Sequence, residues 1–184
     1  MPFTRLLVAL DFAAEKHRSQ RRKSAGDVPY INHPIRVARL LAEVGGAEDE
    51  NVLMAAALHD TVEDTATAIA ELEAAFGPAV RRLVEELTDD KSLPKAERKR
   101  LQIVHAADIS PDAALIKLAD KIANVADLSH SPPADWSNQR IREYFDWAEA
   151  VVERLPKVNA ALEARFAEVV TEGRAAAARR EVGG

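Results

Sequence analysis

The sequence predicts an all-α protein, and three observations predict it. Apolar residues recur three and four positions apart through most of the chain. The 7 glycines and 9 prolines fall between those periodic segments rather than inside them. No stretch longer than a few residues shows the apolar–polar alternation of a half-buried strand. With 184 residues, 47% of them hydrophobic and 30% charged, the chain has enough apolar surface for a core and too much for a disordered polymer. A single domain over residues 1–180 is expected, with 181–184 fraying as an exposed tail.

Each element has its own signal. Phe3, Leu6, Leu7, Leu10, Ala13 and Ala14 share helical spacing and predict an amphipathic first helix. The period fails between Ser19 and Asn32, where Ser24, Gly26, Asp27 and Pro29 mark a loop. Pro34 suits the first turn of the next helix, which Gly45-Gly46 closes. Val52 to Leu58 is apolar on every side, the pattern of a helix buried in the middle of its domain. Gly77-Pro78 leads into a helix carrying Val80, Leu83, Val84 and Leu87, and Pro94 opens a basic one. Ser110-Pro111 combines a cap with a first-turn proline ahead of Leu115, Leu118, Ala119 and Ile122. Pro132-Pro133 breaks the chain again, and Asp135 is placed to cap a helix starting at Trp136. Val158, Leu162, Phe166 and Val169 are in phase on a last helix that runs into the Ala- and Arg-rich tail.

Composition excludes several functions. Twenty-five basic against thirty acidic residues give a net charge of −5, the wrong sign for a generic nucleic-acid binder. With no cysteine, disulfides and thiolate metal sites are impossible, so any metal is held by imidazole and oxygen. No apolar run approaches the roughly 20 residues needed to cross a bilayer, and the first residues lack a signal-peptide pattern. A soluble cytoplasmic protein is expected.

The informative residues are polar ones where the pattern demands burial. His59-Asp60 directly follows the apolar run, with Glu63 and Asp64 one turn later. The helix is expected to carry them to the edge of the core, so that His59 shares a face with Glu63, and Asp60 with Glu63 and Asp64. Such a crowd of carboxylates is costly unless a multivalent cation occupies it. A second polar stripe, Lys117, Asp120, Lys121 and Asn124, lies beside an apolar one and reads equally well as a solvated face. His33 stands at the start of a helix. A donor set of His33, His59, Asp60 and Asp120, two nitrogens and two oxygens, favours Mn²⁺ over a structural zinc.

Three ordered blocks carry more weight than the His-Asp pair. They are Arg22-Lys23 with Pro29-Tyr-Ile-Asn-His33-Pro, Leu58-His-Asp-Thr-Val-Glu-Asp-Thr65, and Lys117-Leu-Ala-Asp120-Lys-Ile-Ala-Asn124. With Thr88–Arg100 and Glu143-Tyr-Phe-Asp-Trp147, they resemble the HD-type hydrolase domain of the RelA/SpoT homologues, especially its small stand-alone alarmone hydrolases. The resemblance runs roughly from the first helix to Leu155. It implies an all-α HD-domain bundle that hydrolyses guanosine 3′,5′-bis(diphosphate) to GDP and pyrophosphate, or the pentaphosphate to GTP, without synthesising either. It assigns His33, His59, Asp60 and Asp120 to Mn²⁺, and Glu63 and Asp64 to acid/base work. Arg22 and Lys23 would lie against the nucleotide, with Asn124 and Tyr144 holding sugar and phosphates. Ala123 departs from the larger residue usual before the asparagine and is expected to loosen the pocket there.

The polyanionic substrate is reconciled with an acidic chain by two local basic clusters. One is Arg21, Arg22 and Lys23; the other is Lys91, Lys95, Arg98, Lys99 and Arg100, of which Lys95 and Arg98 are taken to meet phosphate. The remaining histidines have plainer readings: His17 as a partly buried packing residue, His105 and His130 as surface residues. Trp136 and Trp147 read as packing aromatics, with guanine stacking left to the Arg22 guanidinium plane. Two rival readings remain at this stage: a metal-dependent phosphohydrolase of another nucleotide, such as the 2′-phosphate of NADPH, and a non-catalytic nucleotide-binding helical module.

Overall fold

The computed structural model describes residues 4–24 and 26–182, and among them every regular element is helical. In chain order these are α1 (Thr4–Lys16), α2 (Asn32–Glu43), α3 (Glu50–Leu58), α4 (Thr61–Asp64) and α5 (Ile69–Phe76), then α6 (Pro78–Leu87), α7 (Lys95–His105), α8 (Pro111–His130), α9 (Asn138–Arg154) and α10 (Ala160–Val182). Two helices form the middle. Every residue of α3 from Val52 to Leu58 is buried, under α1, α2, α6 and α8. The 20-residue α8 packs against α10, α2, α6, α9 and α3. Burying each large side chain there, such as Met54, Leu58 or Ile116, contributes about 1.5–3 kcal/mol relative to exposure.

Local signals account for most helix ends. Pro78 opens α6 behind Gly77, whose φ of +90° suits a residue without a Cβ. Ser110 Oγ accepts the Ala113 N–H at 3.3 Å and starts α8. Gly46, at φ +64°, carries the chain out of α2.

Several expectations are corrected. The helix of Val52–Leu58 does not continue through Asp60: it ends at Leu58, the chain turns, and α4 is a separate single turn. α5 is an element beyond those expected above, although Ile69, Leu72 and Phe76 stand three and four residues apart in it. α9 is capped by Ser137, whose Oγ accepts the Arg140 N–H at 3.2 Å, while Trp136 still lies in the preceding turn with its N–H on the Pro133 carbonyl. Asp135 is therefore not the cap. In α1 the buried line is Ala9, Ala13 and His17; Leu7 is exposed, and Leu10 and Ala14 are half-buried. Small residues face the core there because α3 lies close, and Phe3 is outside the described residues. Helix α10 runs through Glu181, which pairs with Arg142; Gly183 and Gly184 lie outside the described residues. Among the described residues no helix is long and apolar enough to cross a membrane.

Candidate metal centre and its cleft

His33, His59, Asp60 and Asp120 come from three separate regions and meet at one point. His33 is the second residue of α2, and Asp120 lies midway along α8. Neighbours on a regular helix point apart, but at Asp60 the backbone leaves the helical ladder, with φ −94° and ψ −5°. That turn brings His59 Nε2 to 3.1 Å from Asp60 Oδ2. Asp120 Oδ1 is 3.1 Å from His33 Nε2 and 3.8 Å from His59 Nε2, and His33 Nε2 is 3.7 Å from Asp60 Oδ2. One ligand atom each from His33, His59 and Asp60 falls within a 4.8 Å cluster.

The donor set fits a divalent cation. His59 Nδ1 is 2.8 Å from the Ala56 carbonyl oxygen, which can only accept, so Nδ1 carries the proton. In the neutral form of the ring Nε2 is then the lone-pair nitrogen, the one a cation would take, and it is buried. A ligand histidine held at its other nitrogen by a carbonyl is the usual arrangement around a bound metal. Without a cation the group is electrostatically tense. Burial alone would push His59 down, yet the Asp60 and Asp120 carboxylates hold it well above the ordinary imidazole range. Burial would likewise raise Asp120, but Lys121 and the two imidazoles hold it well below the carboxylate range. Two carboxylates and two neutral imidazoles carry the charge a divalent ion balances.

Glu63 and Asp64 stand beside this cluster in different settings. Glu63 Oε2 accepts the Asp89 N–H at 3.1 Å, and Oε1 lies 3.5 Å from Lys91 and 3.6 Å from Arg98. Burial, followed by the neighbouring Asp89 charge, raises the Glu63 proton affinity despite the bond from that N–H. Asp64 is instead paired with Lys91 and touched by the Tyr30 hydroxyl at 3.2 Å. The same hydroxyl lies 2.6 Å from Asp60 Oδ2. Tyr30 is stacked on the fully buried His17, with ring centroids 4.9 Å apart. His17 is therefore more deeply packed than expected, behind the tyrosine that touches the His-Asp cluster.

A cleft opens from the cluster in two adjoining chambers. The inner one, about 330 Å³, has His33, His59, Asp60 and Asp120 in its wall together with Glu63, Lys23, Lys95 and Arg98. The outer one, about 300 Å³, is bounded by Arg22, Ser24, Pro133 and Trp136. Asn124 and Tyr144 line both. The candidate residues thus share one cleft, with Arg22 in the outer chamber rather than in the wall beside the His-Asp cluster. Of the second basic cluster, Lys91, Lys95, Arg98 and Lys99 line the cleft, whereas Arg100 pairs with Glu97 on the exposed side of α7. Burial and then the neighbouring cations Arg140, Lys23 and Arg98 lower the Lys95 proton affinity, a crowding that an anion relieves.

Lys117 and Lys121 do not belong to a solvated face: both are buried. Lys121 Nζ is 3.1 Å from Asp120 Oδ2 and 4.6 Å over the Trp147 ring, and Lys117 Nζ donates to the Leu87 carbonyl at 3.4 Å. Trp147 Nε1 donates to the Lys99 carbonyl at 3.0 Å and ties α9 to α7, a packing role. Trp136 lies under Arg140 at 4.2 Å at the rim of the outer chamber. His105 and His130 are exposed, as expected. Tyr30 went unassigned although it stands inside the Pro29–His33 block; its position three residues before His33, in the turn that leads into α2, was the available signal.

The HD domain family model matches residues 9–147, a span holding all four donors. The human protein named guanosine-3′,5′-bis(diphosphate) 3′-pyrophosphohydrolase MESH1 is 58% identical over 158 residues, covering 86% of this chain and 88% of that one. The Xenopus tropicalis protein of the same name is 56% identical over 161 residues, covering 88% and 90%. The chain belongs to the HD-domain family, among its small stand-alone alarmone hydrolases. A solved structure of this family, described as a metazoan ortholog of SpoT that hydrolyses ppGpp and plays a role in starvation responses, aligns with a TM-score of 0.90 at 48% identity. That alignment covers 94% of this chain and 97% of the other. The HD-domain assignment agrees with the helical bundle and with the His-Asp cluster at its centre.

Proposed function

We propose that this chain hydrolyses guanosine 3′,5′-bis(diphosphate) at the 3′ position, releasing pyrophosphate and leaving GDP, with Mn²⁺ held by His33, His59, Asp60 and Asp120. The observation that carries the reading is the convergence of those four side chains beside Glu63 at the floor of a cationic cleft. The family supports the substrate, since its relatives are named for this hydrolysis. An oxygen-rich, thiolate-free donor set supports manganese.

A divalent ion in this position supplies Lewis acidity, lowering the pKa of water from about 16 towards about 7 and neutralising phosphoryl oxygens. The protein's own groups do the rest. Glu63, fixed by the Asp89 N–H and with its proton affinity raised by burial, takes the proton of the attacking water. Asp64, held by Lys91 and Tyr30, supports the same proton traffic from its side of the site. The water oxygen joins phosphorus, the bond from phosphorus to the sugar 3′ oxygen breaks, and that oxygen leaves with a proton. Lys23, Lys95 and Arg98 hold the diphosphate charge, while Asn124 and Tyr144, which line both chambers, orient sugar and phosphates. The Arg22 guanidinium, 5.4 Å over the Tyr30 ring, offers its other face to a planar base in the outer chamber.

The test is pyrophosphate release from guanosine 3′,5′-bis(diphosphate) by the purified chain, with and without Mn²⁺, and with NADPH as a parallel substrate. The reading expects metal-dependent release of one pyrophosphate per GDP. Phosphate release from NADPH alone would move the chain to the rival phosphohydrolase. Nucleotide binding without turnover under any divalent ion would make it a binding module.

A further inference from the structure

The loop between α1 and α2 carries Arg22, and a loop by itself is a poor support for a side chain that must present one face to a ligand. What holds Arg22 is on α8. Asp120, Asn124 and Asp127 are spaced four and three residues apart, so they lie along one face of that helix. Arg22 Nη2 donates to Asn124 Oδ1 at 2.8 Å and to Asp127 Oδ2 at 2.9 Å, which uses both of its hydrogens. The other Asp127 oxygen, Oδ1, is taken by Arg36 of α2. Asn124 in turn donates its Nδ2 hydrogen to Asp120 Oδ1 at 2.6 Å. Because Arg22 occupies the amide oxygen, it also decides which way the Asn124 amide points, and so which atom reaches Asp120.

We infer that Asp127 is a positioning residue that, braced by Arg36, aims the Arg22 guanidinium at the nucleotide and locks the orientation of Asn124. The inference rests on the proposed nucleotide hydrolysis and extends it to a residue lying beyond the metal ligands. Arg22 has its edge fixed by a carboxylate and an amide and one face covered by Tyr30, so the face that remains is turned to the ligand. Without Asp127, Arg22 keeps only the neutral amide of Asn124 as an anchor, and the loop bearing it loses its ionic tie to α8 and α2. The consequence falls on substrate binding more than on the bond-breaking step, since Arg22 and Asp127 line the outer chamber and not the one that holds the His-Asp cluster.

The experiment is a double-mutant cycle on the metal-loaded full chain, reading KM and kcat for pyrophosphate release together with metal content and melting temperature. Arg22→Ala is expected to raise KM by about tenfold or more with kcat within about threefold of the parent, and Asp127→Asn, which keeps the side-chain volume, to raise KM by at least about fivefold. The Arg22→Ala/Asp127→Asn double variant is expected to be no worse than Arg22→Ala alone, because both remove one coupled unit. If Asp127→Asn leaves KM unchanged while Arg22→Ala raises it, or if the two effects multiply, Asp127 is a structural ion-pair partner only and the inference is overturned. A parent chain that releases no pyrophosphate overturns the proposed reaction itself, an outcome separate from either.

Discussion

Glu63 and Asp89 are joined by a hydrogen bond across 26 residues, the Asp89 N–H donating to Glu63 Oε2 at 3.1 Å. The bond fixes one carboxylate oxygen, and the other lies 3.5 Å from Lys91 and 3.6 Å from Arg98 in the cleft wall, so the group is held in a defined orientation. Replacing Glu63 by Gln is expected to lower kcat by about 10²–10⁴ while metal content stays at the parent level. Because burial raises the proton affinity of Glu63, the base form is lost already above the ordinary glutamate range. Activity of the parent should therefore rise with pH through an acid limb lying above the ordinary glutamate range. A pH–rate profile of the parent and the Gln variant checks this; an unchanged acid limb in the variant would remove Glu63 from the role.

Asp60 faces two imidazoles and the Tyr30 hydroxyl. Asp60→Ala is expected to lose bound metal, and chelation of the parent should lower its melting temperature in step. A ligand present at about 100 times its dissociation constant stabilises by about 2.7 kcal/mol, worth roughly 5–10 °C for a chain of this size. Thermal unfolding with and without chelator measures it. The Asp60→Ala chain should unfold at the same temperature in both.

Lys95 sits among other cations at the rim of the inner chamber. Lys95→Ala is expected to raise KM by roughly tenfold, about 1.4 kcal/mol, and to flatten the loss of affinity with added salt, because steering by that charge is screened within about 10 Å at 0.1 M. Titration of KM against ionic strength for both chains gives the comparison.

Gly173, buried within α10, is pressed against two neighbouring helices. A Cβ there would stand 2.5 Å from Ser129 Oγ and 2.8 Å from Phe145 Cζ. Gly173→Ala is expected to destabilise the bundle by about 1–3 kcal/mol through overpacking, despite alanine's better helix propensity. A melting curve is sufficient; an unchanged or higher transition would mean that α10 can move outward freely.

Much of the fold was legible because it rests on local signals. The all-apolar run before His59 marks the buried centre, and Pro78, Pro94 and Ser110-Pro111 mark helix starts that the backbone keeps. The failures have a common cause. Whether the chain continues helically past Leu58 depends on what His59 and Asp60 must reach across the bundle, a long-range demand with no periodic signature. Lys117 and Lys121 look solvated in a linear reading because lysine is rarely buried, yet here a carbonyl and the Asp120 carboxylate receive them. The four candidate donors stand out in the sequence as residues, while the groups packed behind them do not. Tyr30 and Asp127 act through contacts with residues far along the chain, and the spacings of Tyr30 to His33 and of Asp127 to Asp120 are the local traces they leave.

Titration of the metal-free chain with Mn²⁺, followed by electron paramagnetic resonance, tests the centre most directly. One tight site per chain is predicted, abolished separately by His33→Ala, His59→Ala and Asp120→Ala in variants that remain folded. A site that persists at full stoichiometry in those three variants would contradict the assignment.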